Sequence, residues 1–244
     1  MLAGNRSHVY LFLLAPTHSG STLFSEILAT SPNLSPNNSR HTREGQLLPT
    51  VTGMMFRHRK QWDESLDFDW HFIKREWLKY WDHRKNIFYE KSPPNLLRAT
   101  SIEKVFSPVY FIVFVRNPYA HCESFIRKNK YSPEVAARFV VNCLKYQKSN
   151  LEKLSNVVLV KYEELTETPE KCAERLIDFL PALGRLDFKK KYDAHNFKQT
   201  ALPIANLNDE KINCLKPAQI EQMNTVFVEK RELLRWFGYE LTGV

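Results

Sequence analysis

The chain has 244 residues, of which 43% are apolar and 13% aromatic. It can therefore bury a substantial core within one domain spanning residues 1–244, which excludes global disorder. Its net charge of +8 fits a highly anionic small ligand, and equally a weak affinity for nucleic acid or membrane surfaces.

The cysteines and the apolar runs indicate the cellular compartment. The four cysteines are scattered and form no C-x-x-C pair, a pattern typical of reduced thiols rather than of a disulfide framework or a zinc site. No apolar run approaches the ~20 residues that span a bilayer, and the first predicted strand begins too early to leave room for a signal peptide. We expect a soluble, cytoplasmic protein without a membrane span.

The first predicted elements are a buried strand, a tight loop and a helix. The apolar run 8–14 predicts the strand, and Leu23, Phe24, Ile27 and Leu28 share one face of the helix. The loop between them contains Thr17, His18, Ser19, Gly20, Ser21 and Thr22. Its backbone N–H groups and the positive end of the helix predict a phosphate or sulfate site, where the hydroxyls add donors and the glycine allows close approach.

The loop departs from the nucleoside-triphosphate pattern G-x-x-x-x-G-K-[ST] at two positions. Ala15 replaces the first glycine, and Ser21 replaces the lysine that binds the β- and γ-phosphates. The predicted strand 109–115 also ends without the aspartate that positions magnesium in such enzymes. A smaller 5′-anion therefore fits the loop better than a triphosphate, and metal-dependent phosphoryl transfer is disfavoured.

Residues 31–53 are rich in turn signals and contain a lone acid, Glu44, among the basic and polar residues of 40–46. In an α/β chain of this layout, the stretch emerges near the strand ends where ligands bind. A solvated loop carboxylate explains Glu44 equally well.

Residues 54–84 hold four of the five tryptophans. Trp70, Ile73, Trp77 and Trp81 share one helix face, a spacing more typical of core than of a ligand platform. Because the segment lies between two candidate site elements, it is also a candidate helical insertion on the substrate side.

The remaining elements alternate between strands and helices. A short strand at 86–89 runs into Glu90 and Lys91, a charged pair either at the rim of the sheet or simply exposed to solvent. The other predicted strands are 109–115 and 157–160, and the predicted helices lie near 95–106, 117–129, 133–154, 168–180 and 218–237. Residues 184–216 carry few periodic signals. This alternation predicts an α/β fold, with a central parallel sheet covered by helices on both faces.

A second candidate anion element follows the predicted strand 109–115. Arg116, Asn117, Pro118 and Ser124 have the spacing R-x-P-x5-S, and Lys128 lies one turn further along the helix. An arginine at a strand end, followed by a serine and basic residues on a helix, can bind a phosphate through charge-assisted hydrogen bonds. Two such elements on one sheet predict a ligand phosphorylated at two positions.

These motifs, in this order, resemble the sulfotransferase family that uses 3′-phosphoadenosine 5′-phosphosulfate (PAPS). Loop 17–22 is similar to its 5′-phosphosulfate loop [RK]-S-G-[TS]-[TS], with His18 in place of the usual Arg or Lys. Segment 116–124 is similar to its 3′-phosphate motif, 160–165 to its Y-E-D-L segment, and 90–93 to the E-K-[ST]-P segment of glycan and protein members. Glu44 falls where the tyrosylprotein branch has its catalytic glutamate, and 237–241 matches a common ending of bacterial-type members.

The resemblance implies a P-loop-like three-layer fold and metal-free transfer of a sulfonate from PAPS to a hydroxyl or amine, with 3′,5′-bisphosphoadenosine (PAP) as product. The residues implied to bind the nucleotide are loop 17–22, Arg116, Ser124, Lys128 and Tyr162. Glu44 is implied to take the proton of the acceptor, Lys91 to act near the sulfonate or the acceptor, and His18 to stabilise the charge that develops on the leaving group. A small alcohol, polyketide, glycan or peptide tyrosine all stay open as the acceptor, as does the oligomeric state.

Two other classes of protein remain as alternatives. The strand-loop-helix unit also occurs in P-loop nucleotide and nucleoside kinases, although the lysine and the acidic strand end are missing here. The net charge of +8 and the aromatic residues of 54–84 are also compatible with a non-enzymatic nucleic-acid binder. We expect no specific nucleic-acid partner, because the two anion elements already account for a small nucleotide.

Overall fold

The computed structural model describes residues 8–37, 43–56, 61–189 and 203–243. A five-stranded parallel sheet with the order β2-β3-β1-β4-β5 forms its centre. The strands are β1 (Val9–Leu14), β2 (Leu34–Pro36), β3 (Ile87–Glu90), β4 (Val109–Val115) and β5 (Val157–Lys161). Because all the strands run in the same direction, their carboxyl ends meet at one edge of the sheet, where α/β proteins bind ligands.

The described helices connect these strands and pack on the sheet. They are α1 (Ser21–Leu28), α2 (Thr52–Met55), α3 (Trp70–Trp77), α4 (Ala99–Val105), α5 (Pro118–Asn129), α6 (Pro133–Lys153), α7 (Tyr162–Glu167), α8 (Pro169–Phe179), α9 (Asn208–Asn213), α10 (Pro217–Phe227) and α11 (Arg231–Trp236). Two of these helices begin with a side-chain cap and a proline. Asn117 caps α5 and Ser132 caps α6, and both satisfy backbone N–H groups that the first helical turn leaves without a partner.

Alternation along β1 divides the buried side chains between the two faces of the sheet. Phe12 and Leu14 belong to a core shared with α3, α4, α5, α6 and α10, whereas Leu11 and Leu13 pack with α1 and α8 on the opposite face. Full burial of each of these side chains contributes about 1.5–3 kcal/mol. The sheet is therefore the middle layer of three, which confirms the predicted α/β architecture.

The aromatic face of residues 70–81 is part of the core. Trp70, Ile73, Trp77 and Trp81 are all buried, and the ring of Trp77 lies 6.2 Å from that of Phe12 between centroids. The core-like pattern is therefore confirmed, but the helix ends at Trp77, and Trp81 joins the same core from beyond the end of α3. The idea that residues 54–84 border the substrate stays a prediction, and 57–60 lie outside the described residues.

Several predicted boundaries were wrong. Strand β2 lies in the stretch 31–53, which is rich in turn signals, and helix α4 is preceded by a separate 3-10 helix at Pro93–Leu97. Helix α9 lies in the stretch 184–216, which carries few periodic signals. The predicted helix 218–237 breaks at a 3-10 turn, Val228–Lys230, between α10 and α11. Periodicity hides this break because the apolar residues on either side of it still pack inward. No helix in the described part of the chain combines the length and apolarity that crossing a membrane requires.

Candidate active site

Most of the predicted site residues lie at the carboxyl edge of the sheet. Loop 15–20 follows β1, the pair Glu90 and Lys91 ends β3, Arg116 follows β4, and Tyr162 follows β5. Glu44 joins them from the turn that precedes Gly45–Leu47. Of the basic stretch that contains Glu44, residues 40–42 lie outside the described residues.

The loop after β1 presents the amino end of α1. Gly20 has a φ of 97° and caps the helix without a side-chain hydrogen bond, so the first N–H groups, at Ser21 and Thr22, lack an intrahelical acceptor. A Cβ on Gly20 would lie 2.8 Å from the ring of Tyr162, and this φ is also unfavourable for any other residue. Glycine is thus required both by the turn and by the close approach of Tyr162.

Two hydrogen bonds fix the backbone of the loop that follows β1. The Ser19 hydroxyl donates to the Pro16 carbonyl at 2.7 Å, so this predicted donor is used within the loop. The Nε2 of His121 lies 2.7 Å from the Thr17 carbonyl. Because burial lowers the pKa of His121 to about 3, the ring is neutral and must carry its hydrogen on Nε2 to donate to that carbonyl.

His18 occupies the predicted cation position and also has a positive φ, 64°. Burial lowers the pKa of its imidazole, and the charges of Lys128 and Arg127 lower it further, whereas Glu44 acts in the opposite direction. Lys128 is therefore the predicted site residue whose positive charge lowers the pKa of His18 most. Before any anion binds, the His18 imidazole is mostly neutral at neutral pH.

Arg116 lies against the ring of Tyr162, with its Cζ 3.9 Å from the ring centroid. Its side chain is nearly enclosed, at 6% exposure, and its Nε donates to Asn208 Oδ1 at 2.7 Å. Among the described residues, its Nη2 has no hydrogen-bond partner. A buried guanidinium nitrogen without a partner is costly, and an anion bound there would supply the missing acceptor.

Ser124 lies on α5, the helix that follows Arg116. Its hydroxyl donates to the Ala120 carbonyl at 3.1 Å and also lies 3.3 Å from Glu123 Oε2. Glu123 in turn pairs with Arg127 at 2.8 Å and with Lys211 at 3.4 Å. An anion beside Ser124 would therefore meet a carboxylate that two cations neutralise.

Glu44 is held through both of its carboxylate oxygens. Lys91 Nζ donates to Oε1 at 3.0 Å, and Gln46 Nε2 donates to Oε2 at 2.5 Å. The Lys91 side chain is only 2% exposed, while that of Glu44 retains 13%. The carboxylate is thus fixed in orientation and still reaches solvent.

Glu90 supports this turn from beneath. Its side chain is fully buried, its Oε2 accepts the Gly45 N–H at 3.0 Å, and its Oε1 accepts from Ser92 and Asn95. Burial raises the pKa of Glu90 to about 7, and the charge of Glu44 also raises it. A Cβ on Gly45 would lie 2.5 Å from Glu90 Oε2, so the turn and the buried carboxyl fit each other only with glycine.

Four residues of the site were not assigned a role from the sequence: Gln46, His121, Glu163 and Asn208. Glu163 lies in the matched segment 160–165, whereas Asn208 lies in the stretch 184–216 with few periodic signals. Its place in the mostly polar stretch 206–210, at the start of a short helix, is the one local clue.

Fold and site together place two candidate anion-binding elements at the carboxyl edge of a parallel sheet. The model of the Sulfotransferase family matches residues 11–182, and the chain belongs to this family. This confirms the predicted family, while the relationship to the tyrosylprotein and glycan branch stays a prediction. No curated protein sequence matches the chain significantly.

Solved sulfotransferase structures share this P-loop-like fold. The sulfotransferase domain of the Synechococcus PCC 7002 olefin synthase is 19% identical, with a TM-score of 0.55 over 97% of both chains. The corresponding domain of the curacin biosynthetic pathway is 18% identical, with a TM-score of 0.54 over 97% of this chain and 99% of that chain. A sulfotransferase from Alicyclobacillus acidocaldarius is 12% identical, with a TM-score of 0.56 over 95% and 96%.

Proposed function

We propose that the protein transfers the sulfonate of PAPS to a hydroxyl or amine of an acceptor and releases PAP. The observation that carries the proposal is the position of Tyr162, whose ring packs on Gly20 of the first anion element and on Arg116 of the second. The two elements are therefore neighbours across β1 and β4, as binding one doubly phosphorylated nucleotide requires. Family membership supports the sulfonate chemistry.

Residues of both anion elements fit such a nucleotide. The unpartnered Nη2 of Arg116 can donate to a 3′-phosphate, and the free N–H groups of Ser21 and Thr22 can donate to a 5′-phosphate. Aligned backbone donors and the positive end of α1 also stabilise negative charge that develops on a leaving phosphate. In the described residues, no group of three or more His, Cys, Asp or Glu is arranged to hold a metal ion.

PAPS would supply the sulfonate, and the protein's own groups would prepare the acceptor. Glu44 would accept the proton of the acceptor hydroxyl, a role worth roughly 10²–10⁴-fold in rate. Lys91 and Gln46 donate to its two oxygens and so fix the direction in which the carboxylate faces. Protonated His18 would stabilise the charge on the leaving group, since a bound anion raises the pKa of a neighbouring imidazole.

Glu90 is less suited to the role of base. Both oxygens of each glutamate accept hydrogen bonds, but Glu90 has no exposed surface, whereas the Glu44 side chain is 13% exposed. Glu44 has the access that Glu90 lacks, so we assign the base to Glu44. Family membership implies a small-molecule or glycan acceptor. We also propose that the reaction takes place in the cytoplasm.

Calorimetry and a sulfonate-transfer assay test the proposal. PAP should bind at least about tenfold more tightly than AMP, because each charge-assisted hydrogen bond to the 3′-phosphate contributes about 1.5–3 kcal/mol. In an assay with a labelled sulfonate donor and a library of acceptors, Glu44→Gln should lower kcat by about 10² or more. Its affinity for the nucleotide should stay nearly constant. The exposed Glu152→Gln is the matched control.

Other outcomes would contradict the proposal. Equal affinities for PAP and AMP would refute the pair of anion elements. Activity that survives Glu44→Gln but not Glu90→Gln would move the base to Glu90. Magnesium-dependent consumption of ATP would support a kinase, and salt-dependent binding of nucleic acid that PAP does not affect would support the nucleic-acid binder.

A further inference from the structure

The segment 203–213 passes over the carboxyl ends of β4 and β5. The hydroxyl of Tyr162 donates to the Ala205 carbonyl at 3.1 Å and accepts the Leu207 N–H at 3.3 Å. The first residue of α9, Asn208, is buried directly beside Arg116. This segment therefore contributes a polar side chain to the second anion element, although it carries no recognised motif.

The side-chain amide of Asn208 connects a cation to a carboxylate. Its Oδ1 accepts from Arg116 Nε at 2.7 Å, and its Nδ2 donates to Glu163 Oε1 at 2.6 Å. A guanidinium can only donate and a carboxylate can only accept, so an amide is the group that satisfies both at once. The amide also keeps Glu163 from forming a direct ion pair with Arg116.

Glu163 is itself held by three parts of the chain. Its Oε1 accepts the Asn117 N–H at 2.8 Å in addition to Asn208, and its Oε2 accepts from the Tyr239 hydroxyl at 3.1 Å. These donors come from the start of α5, the start of α9 and the segment after α11. Glu163 thus fixes the amide of Asn208, which in turn fixes the plane of the guanidinium.

We propose that Asn208 and Glu163 are positioning residues that orient Arg116 while leaving its Nη2 free for the 3′-phosphate. The proposal rests on the proposed function, since it assigns that nitrogen a nucleotide phosphate as its acceptor. A direct ion pair would consume the donors of the guanidinium and offset its charge. The intervening amide instead orients the guanidinium with a neutral group, so its positive charge remains available to an anion.

Asn208→Asp tests this arrangement because it replaces the neutral acceptor with a charged one of equal size. The variant carboxylate would pair directly with Arg116 and would also repel Glu163. We expect the affinity for PAP to fall at least 30-fold and the affinity for AMP at most about threefold, so that the PAP/AMP ratio decreases by at least tenfold. Binding is measured by calorimetry, and thermal unfolding is followed for each variant.

Asn206→Asp is the matched control. It makes the same change two residues away in the same segment, where Asn206 Nδ2 also donates to a glutamate, Glu167, at 2.5 Å. The control should keep the PAP/AMP ratio of the wild type within about twofold. An equal fall of that ratio in both variants would overturn the proposal, because the effect would then come from added charge alone.

A neutral variant keeps the test decisive if Asn208→Asp does not fold. Asn208→Ser removes the amide link without adding charge and should lower the PAP/AMP ratio at least fivefold, whereas an unchanged ratio overturns the proposal. A wild-type protein that does not prefer PAP would overturn the proposed function and this inference together. A wild-type preference that survives both Asn208 substitutions would overturn only the inference.

Discussion

Substitution of Glu90 by Gln should change how the free energy of unfolding depends on pH. Glu90 is fully buried at the end of β3, and its Oε2 accepts the Gly45 N–H at 3.0 Å. Burial raises its pKa from the ordinary 4.5 to about 7, with a smaller contribution from the charge of Glu44. A Gln side chain retains an oxygen for the Gly45 N–H and cannot ionise, so it isolates the effect of the proton.

The direction of this pH dependence follows from the raised pKa of Glu90 in the folded state. Between pH 4.5 and about 7 the folded protein keeps a proton that the unfolded chain has lost. The stability that this proton provides is complete below pH 4.5 and is lost as the pH rises through about 7. Since one pKa unit corresponds to about 1.4 kcal/mol, the total loss is about 3 kcal/mol. We therefore expect Glu90→Gln to gain about 3 kcal/mol relative to the wild type between pH 4.5 and 8.

Urea unfolding between pH 4.5 and 8.5 measures this difference, because the titrating groups that do not interact with Glu90 are common to both proteins and cancel. The control is Glu134→Gln, which removes an exposed carboxylate on α6 and should leave the difference constant with pH. Parallel pH profiles for Glu90→Gln and the wild type would refute the assignment of a buried, half-protonated carboxyl beneath Gly45.

Three further outcomes are expected. Lys128→Ala should raise the pKa of His18, because the lysine charge lowers it, and an NMR titration of the imidazole measures the shift. Gly20→Ala should weaken PAP binding at least tenfold by calorimetry, because its Cβ would meet the ring of Tyr162 at 2.8 Å. His121→Gln should reduce the loss of stability that the wild type shows on acidification. The pKa of His121 is about 3 in the folded state and 6.5 in the unfolded state, so the wild type loses stability as the pH falls from 6.5 towards 3. Urea unfolding at several pH values measures this loss in both proteins.

The central fold and the first anion element were predictable because their determinants are local. The apolar runs of β1 and β4 are long enough to be recognised as buried strands, and Gly20 lies between a strand and a helix. By contrast, β2 contains three residues among turn signals and is a strand only because it pairs with β3. Local pattern carries no information about such a pairing.

The residues that position the anion site were not predictable either, because their contacts also join distant parts of the sequence. Asn208 bonds to Arg116 from 92 residues further along the chain, and the local sequence around either residue does not indicate the other as its partner. Ser19 looked like a ligand donor, yet its hydroxyl bonds to Pro16 within the loop. Motif residues could thus be named from the sequence, whereas the residues that orient them depend on tertiary packing.

The connection of Glu163 to Tyr239 affects how the protein assembles during synthesis. Translation proceeds at about 5–20 residues per second, so the 92 residues between Arg116 and Asn208 delay their contact by about 5–18 s. Tyr239 follows Glu163 by 76 residues, lies after Asn208 in the chain, and completes the set of donors around that carboxylate. A nascent chain therefore carries every recognisable anion motif well before it can hold Arg116 in place. Nucleotide capture should be among the last properties that the emerging polypeptide acquires.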